Sequence, residues 1–183
     1  MIYKAVYHFF VEKIMPKKRI LPYVLLGLIN NKKKLSGYQI SQEFKHEVGD
    51  FWHASHSQIY PELARMKEDN WVNDEEEGKA TYYMLTTTGH EVLRNWMQEP
   101  LDGNEEMFSL KLYFINDSTD PLLKKLLEQE LKLKQDKYQY LQGRLSKVFT
   151  DEKKIKANFG HYLILTRAIE REKNHIEWLK NRL

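Results

Sequence analysis

The sequence has no cysteine, which excludes disulfides, thiolate metal sites and a cysteine nucleophile. No apolar run approaches the roughly 18–20 residues that a membrane-spanning helix needs. Gly-rich phosphate loops, Gly-x-Ser-x-Gly and His-Glu-x-x-His are all missing, so the common signatures of phosphoryl transfer, acyl transfer and zinc hydrolysis are absent. His53 and His56 stand three apart with nothing beside them to complete a metal site. The expectation is a protein that is not an enzyme and holds no metal or cofactor. A strong excess of one charge is lacking as well. The formal net charge is +3, and residues 1–100 carry 13 Lys+Arg against 13 Asp+Glu, leaving 16 against 13 in residues 101–183. Any nucleic-acid surface must therefore arise from local clustering.

What is present suits a small domain with a helical appendage: 183 residues, of which 42% are hydrophobic. Residues 1–14 are apolar-rich without the charged start, clean apolar run or small-residue cleavage site of a signal peptide. Met15-Pro16-Lys17-Lys18-Arg19 reads as a second start. Residues 1–18 are therefore expected to be an extension, and the protein is expected to be cytoplasmic with no membrane partner.

Ile20 to Ile29 reads as an apolar helix closed by Asn30-Asn31-Lys32-Lys33-Lys34, with lysines at the negative end of its dipole. Ser36 caps a second helix running to about Gly49, with Gln39 completing a capping-box spacing, and Ile40, Phe44 and Val48 facing the core. Ser55 or Ser57 caps a third helix, Ser55 with Gln58 repeating that spacing, and Ile59, Leu63 and Met66 point inward. Pro61 costs less near the first turn than in a helix interior. Asn70 stands where a left-handed residue ends the helix. Trp71-Val72 and Tyr82 to Leu85 have strand composition, joined by a Glu77-Gly78-Lys79 turn. Thr88-x-x-Glu91 starts a further helix carrying Val92, Leu93 and Trp96.

Pro100 to Asn104 breaks the pattern. Beyond it Phe108, Leu112 and Ile115 form a stripe with Lys111 beside it, and Asp120-Pro121 starts a long helix. Leu127, Leu131, Tyr138, Leu141, Leu145 and Val148 recur at threes and fours, interrupted by Lys134. A last helix repeats the device with Tyr162, Leu165, Ile169, Ile176, Leu179 and Leu183. Such seams suit either a symmetric dimer or an intramolecular hairpin; a dimer is expected, because two reading heads need joining. The fold class is mainly α: an N-terminal winged helix-turn-helix domain over 19–100 and a C-terminal long-helix dimerisation domain over 104–183.

For DNA, Ser55, His56, Ser57, Gln58 and Tyr60 at the start of the third helix carry donors and acceptors that reach base edges. The other reading makes Ser55 and Ser57 plain caps and Tyr60 core. Backbone N–H groups at Ser36, Gly37 and Tyr38, with the Tyr38 hydroxyl, suit a phosphate. Lys17, Lys18, Arg19, Lys32, Lys33, Lys34, Arg65 and Lys79 are the available cations. Asp74 to Glu77 put four carboxylates near the wing tip, so either the tip points away from DNA or only Lys79 and Thr81 touch it. For a small ligand, Asn158 to Arg167 offers flat walls in Phe159 and Tyr162 and polar handles in His161, Tyr162 and Arg167. Packing is the other reading of the same residues.

Leu35-Ser36-Gly37-Tyr38, Phe51-Trp52, His56 to Leu63, Tyr83-x-Leu85-Thr86 and Gly89 together resemble the PadR family. The block Phe159-Gly160-His161-Tyr162-Leu163, followed by Leu165-Thr166, Ala168 and Glu170 to Asn174, is similar to the family's branch that controls phenolic acid decarboxylase genes. The likeness spans roughly Arg19 to Leu183, with Asn70 replacing the usual glycine and an unusually acidic wing tip. The resemblance implies a homodimeric repressor on double-stranded promoter DNA with an inverted repeat, released by a phenolic acid effector such as p-coumaric or ferulic acid. It also favours the ligand reading. The effector is expected to wedge between the winged helix and the C-terminal helices against Phe51, Trp52, Lys111, Phe159, His161, Tyr162 and Arg167. A multidrug-sensing repressor on the same scaffold and a winged-helix interaction module without DNA are the alternatives.

Overall fold

The computed structural model describes residues 19–46, 48–50 and 52–183. The expected 1–18 extension, the Lys17 and Lys18 cations and Phe51 lie outside them. The chain divides into two compact units, the first ending at Trp96 and the second beginning at Met97. Among the described residues no helix is long and apolar enough to cross a membrane, and no His/Cys/Asp/Glu cluster could hold a metal.

The first unit is built around α1 (Leu21–Lys32), whose residues from Val24 to Ile29 are buried on every side, as an apolar-all-round helix must be. Tyr23 stacks on Trp96 at 5.2 Å between ring centroids. There follow β1 (Leu35–Ser36), α2 (Gly37–His46), a single 3-10 turn (Val48–Asp50) and α3 (His56–Glu68). A hairpin of β2 (Val72–Glu77) and β3 (Ala80–Leu85) leads into α4 (Thr87–Gln98). The sheet is antiparallel in the order β1-β3-β2, with Leu35 opposite Tyr83 and Val72 opposite Leu85. Helix, turn, helix and hairpin make a winged helix.

Several local expectations hold for identifiable reasons. Ser36 and Gln39 form the capping box reciprocally, Ser36 N–H donating to Gln39 Oε1 at 2.8 Å and Gln39 N–H to Ser36 Oγ at 3.2 Å. Ile59, Leu63 and Met66 are at most 1% exposed. Asn70 has φ +56°, the left-handed stop. Others need correction. α2 ends at His46 rather than near Gly49, and Val48 reaches the core from the 3-10 turn. Ser36 also pairs as a strand residue with Tyr82, which two residues alone do not signal. The α4 cap is Thr86, not Thr88: Gly89 N–H donates to Thr86 Oγ1 at 3.0 Å, and that hydroxyl donates to the Asn70 carbonyl at 2.6 Å. Gly89 is obligatory there, since a Cβ would lie 2.0 Å from the Trp71 carbonyl oxygen.

The second unit holds α5 (Glu105–Tyr113), α6 (Pro121–Val148), α7 (Glu152–Ala157) and α8 (Phe159–Lys180). Asp120 caps α6 by accepting from Leu122 N–H at 2.8 Å, ahead of Pro121, as its sequence signals. α6 and α8 pack along one another. One apolar cluster gathers Leu101, Phe108, Leu126, Leu127 and Leu179, and another gathers Leu141, Phe149 and Leu165. Lys134, the break in the apolar stripe, is buried too. Its ammonium faces Glu105 at 2.6 Å, Glu130 at 3.4 Å and Glu172 at 3.7 Å, one carboxylate from each of α5, α6 and α8. Arg171 holds Glu172 from outside at 2.7 Å. Glu105 is thus tied to the seam rather than merely solvated.

The Lys134 ammonium holds the Glu105 carboxyl below its ordinary value, while burial pushes Glu130 up. A depressed carboxyl pKa adds stability that is present above the ordinary glutamate value and lost as pH falls through the depressed one. Acid unfolding followed by circular dichroism should therefore show a shallower loss of stability in that range for Glu105→Gln than for the parent chain. For the α3 stop, Asn70→Gly should leave the urea midpoint nearly unchanged. Asn70→Ala should cost about 1 kcal/mol, because a Cβ residue without a local hydrogen-bonding side chain is strained there.

Candidate nucleic-acid interface

The apolar stripe of α3 faces the core, which turns its other sides outward. His56 and Tyr60 lie on the side toward α2. Their rings stack at 5.9 Å, Ser41 Oγ lies 3.4 Å from His56 Nδ1, and Tyr60 is 43% exposed. Tyr60 is therefore not a core residue. Its ring lies over Gly37, where an added Cβ would sit 2.6 Å from Tyr60 Cε1. A larger residue at 37 would push the Tyr60 ring aside, because α3 crosses α2 closely there. Tyr38, 66% exposed, projects beside that crossing.

At the start of α3 the expected contacts are already engaged with one another. Gln58 Oε1 accepts from the Ser55 N–H at 2.9 Å and from its hydroxyl at 3.0 Å, and the Ser55 and Ser57 hydroxyls lie 2.8 Å apart. Ser55 is thus the cap, and the acceptor end of Gln58 is committed to it. A Gln58 that reads adenine with both ends would have to release the cap first. Ser36, Gly37, Tyr38, Ser55, His56, Ser57, Gln58 and Tyr60 are nevertheless brought together in one unit. Lys79 sits apart, exposed in the wing turn after Gly78.

The wing carboxylates lie along β2 rather than at the turn, and lysines meet them. Lys34, on the connection into β1, bonds both Glu75 (3.0 Å) and Glu77. Lys67, near the end of α3, bonds Asp74 at 2.8 Å. The hydrogen bonds that Lys34 donates to Glu77 and Glu75 raise its pKa, and the one that Lys67 donates to Asp74 raises that of Lys67. Lys34, counted among free cations on sequence alone, is instead the partner of the acidic strand. No sequence signal ties a lysine to carboxylates some forty residues away.

Of the expected effector residues, Phe159, His161 and Tyr162 converge in the second unit. They do so around Phe149, which sequence reading missed. Phe149 meets the His161 and Tyr162 rings edge-on at 5.3 and 5.4 Å, and Phe159 stacks on Tyr162 at 6.3 Å. His161 and Arg167 are exposed, so His161 is not a core histidine. Lys111 is 1% exposed, and its ammonium donates to the Glu99 carbonyl at 2.6 Å. Trp52, in the first unit, packs on Phe44 at 5.8 Å and lines a cleft beside α3.

Residues 25–95 match the family model described as the transcriptional regulator PadR-like family, and residues 106–183 match the virulence activator alpha C-terminal model. The negative transcriptional regulator PadR of Bacillus subtilis is 37% identical over 174 residues, covering 89% of this chain and 95% of that protein. Among solved structures, the Bacillus subtilis protein in complex with operator DNA is 36% identical, covers 91% of this chain and 97% of that one, and has a TM-score of 0.42. Its complex with p-coumaric acid is 38% identical, covers 89% and 96%, and has a TM-score of 0.41.

If Lys34 is what holds the acidic strand against the body, Lys34→Gln should speed amide hydrogen exchange in β2 and leave α1 protected. Unchanged exchange at Glu75 to Glu77 would mean that the strand pairing alone fixes the wing.

Proposed function

This chain belongs to the PadR family of transcriptional regulators, and we propose that it is a homodimeric repressor. It holds an inverted-repeat operator at a phenolic acid decarboxylase promoter and lets go when a hydroxycinnamic acid such as p-coumaric or ferulic acid binds. The observation that carries this reading is 37% identity over 95% of a Bacillus subtilis negative regulator, itself known with operator DNA and with p-coumaric acid.

In this reading residues 19–100 form the reading head and residues 104–183 join two copies. The exposed Phe159, Leu163, Ile164 and Trp178 on α8, with Tyr140 on α6, support that pairing, since a lone subunit leaves them wet. Two identical heads about one DNA turn apart (~34 Å) then read the two half-sites. α3 supplies the groove-facing side chains from Ser55 to Tyr60, and the α2 start from Ser36 to Tyr38 receives a phosphate. Lys79 touches the backbone from the wing turn.

For the effector, Phe149, Phe159 and Tyr162 offer aromatic walls, and His161 and Arg167 offer handles for a phenol and a carboxylate. A ligand that prefers one head spacing over another shifts the population, and each 1.4 kcal/mol of preference changes operator affinity about tenfold.

A gel shift with an inverted-repeat promoter fragment tests the whole reading. Retardation in low salt, reversed by p-coumarate, is expected. His161→Ala should keep operator affinity and need more p-coumarate for release. Release at the parental concentration would remove His161 from the effector site.

A further inference from the structure

The cleft beside α3 carries more positive charge than its one carboxylate neutralises. It encloses about 360 Å³ and is lined by Arg19, Trp52, Ser57, Gln58, Glu62 and Arg65, among others. Glu62 is the unusual member: its side chain is 7% exposed, although it belongs to a surface helix. Each of its oxygens faces a different guanidinium. Oε1 accepts from Arg19 Nη2 at 2.5 Å, and Oε2 lies 3.8 Å from Arg65 Nη1. The first contact is a charge-assisted hydrogen bond, and the second is beyond hydrogen-bond reach. Two cations thus share one anion, leaving a surplus of one positive charge among the residues that line the cleft. Both guanidiniums are more than half exposed, at 55% and 57% of their side chains. The neighbouring lysines differ, because Lys67 is bonded to Asp74 and Lys34 to Glu75 and Glu77.

We propose that this cleft is a seat for a phosphodiester of the duplex backbone, gripped by Arg65 with the Ser57 hydroxyl beside it. Glu62 is a positioning residue, holding Arg19 so that its charge stands at the mouth of the cleft. Three features favour a backbone phosphate. The surplus is one charge, matching a phosphodiester. A guanidinium fork suits phosphate oxygens. Arg65 also lies about two turns beyond the groove-directed start of α3, where contacts position a helix without reading sequence. The proposal rests on the DNA-binding reading above and adds to it a grip that the sequence shows only as two scattered arginines.

The experiment is fluorescence anisotropy of the full chain on an inverted-repeat duplex across a salt series, with thermal unfolding of each variant as a control. Each phosphate contact adds about 0.9 to the slope of log K against log salt. Arg65→Gln should unfold like the parent and give a slope shallower by about 0.9 per head. Arg65→Lys should restore most of that slope, since it keeps the charge. Glu62→Gln should weaken binding several-fold without making the slope shallower, because both guanidiniums remain but lose their placement. A steep parental slope that Arg65→Gln leaves unchanged overturns the seat while sparing the repressor reading. A parent that does not bind duplex in low salt overturns both. If Arg65→Gln alters only the p-coumarate concentration needed for release, the cleft takes a free carboxylate and the proposal fails.

Discussion

The rotation of α3 about its own axis is the constraint on which the first unit depends. Ile59, Leu63 and Met66 are almost completely shielded from water. Each such side chain is worth about 1.5–3 kcal/mol relative to an exposed one, against about 0–1 kcal/mol for an exposed ion pair. The apolar stripe therefore decides which way the helix faces, and the polar residues take the directions left over. His56 and Tyr60 lie across Gly37, the Ser55 to Gln58 cap sits at the tip, and Arg65 lies on the flank. An exposed polar surface results because the remaining sides of one helix cannot be buried.

Charge is arranged by the same hierarchy. The first hundred residues carry equal numbers of acidic and basic groups, which argues poorly for a DNA-binding surface until the pairs are traced. Asp74, Glu75 and Glu77 are met by Lys67 and Lys34, so half of the charge on the four-carboxylate strand is neutralised at short range. Repulsion of phosphate by β2 is correspondingly weaker than its composition suggests, because paired charges screen one another within a few ångströms.

Elements set by local chemistry were readable in the sequence. The capping spacing at Ser36, the left-handed stop at Asn70, the Asp120-Pro121 start and the buried face of α3 each depend on residues within a few positions, and each stands in the structure. What failed to show depends on residues far apart. β1 exists because β3 returns beside Leu35 and Ser36. The cap of α4 moved from Thr88 to Thr86 because the Thr86 hydroxyl also reaches the Asn70 carbonyl. Phe149 follows α6, yet it becomes the centre of the aromatic group only once α8 folds back. Lys134 looked like a flaw in an apolar seam, because three carboxylates from three helices cannot be seen to converge in a linear chain.

That single charged rung has a consequence for how the long helices can fit. Leucine-lined helices tolerate sliding, since one leucine replaces another at little cost. A displacement of α8 along α6 by one turn, about 5.4 Å, would carry Glu172 away from Lys134, with Arg171 travelling beside it on the same helix, and leave the buried ammonium one carboxylate short. Taking a partner from a buried charged group is disfavoured, whereas exchanging one leucine contact for another carries no such penalty. The seam thus has a preferred alignment, set by the least hydrophobic residue in it.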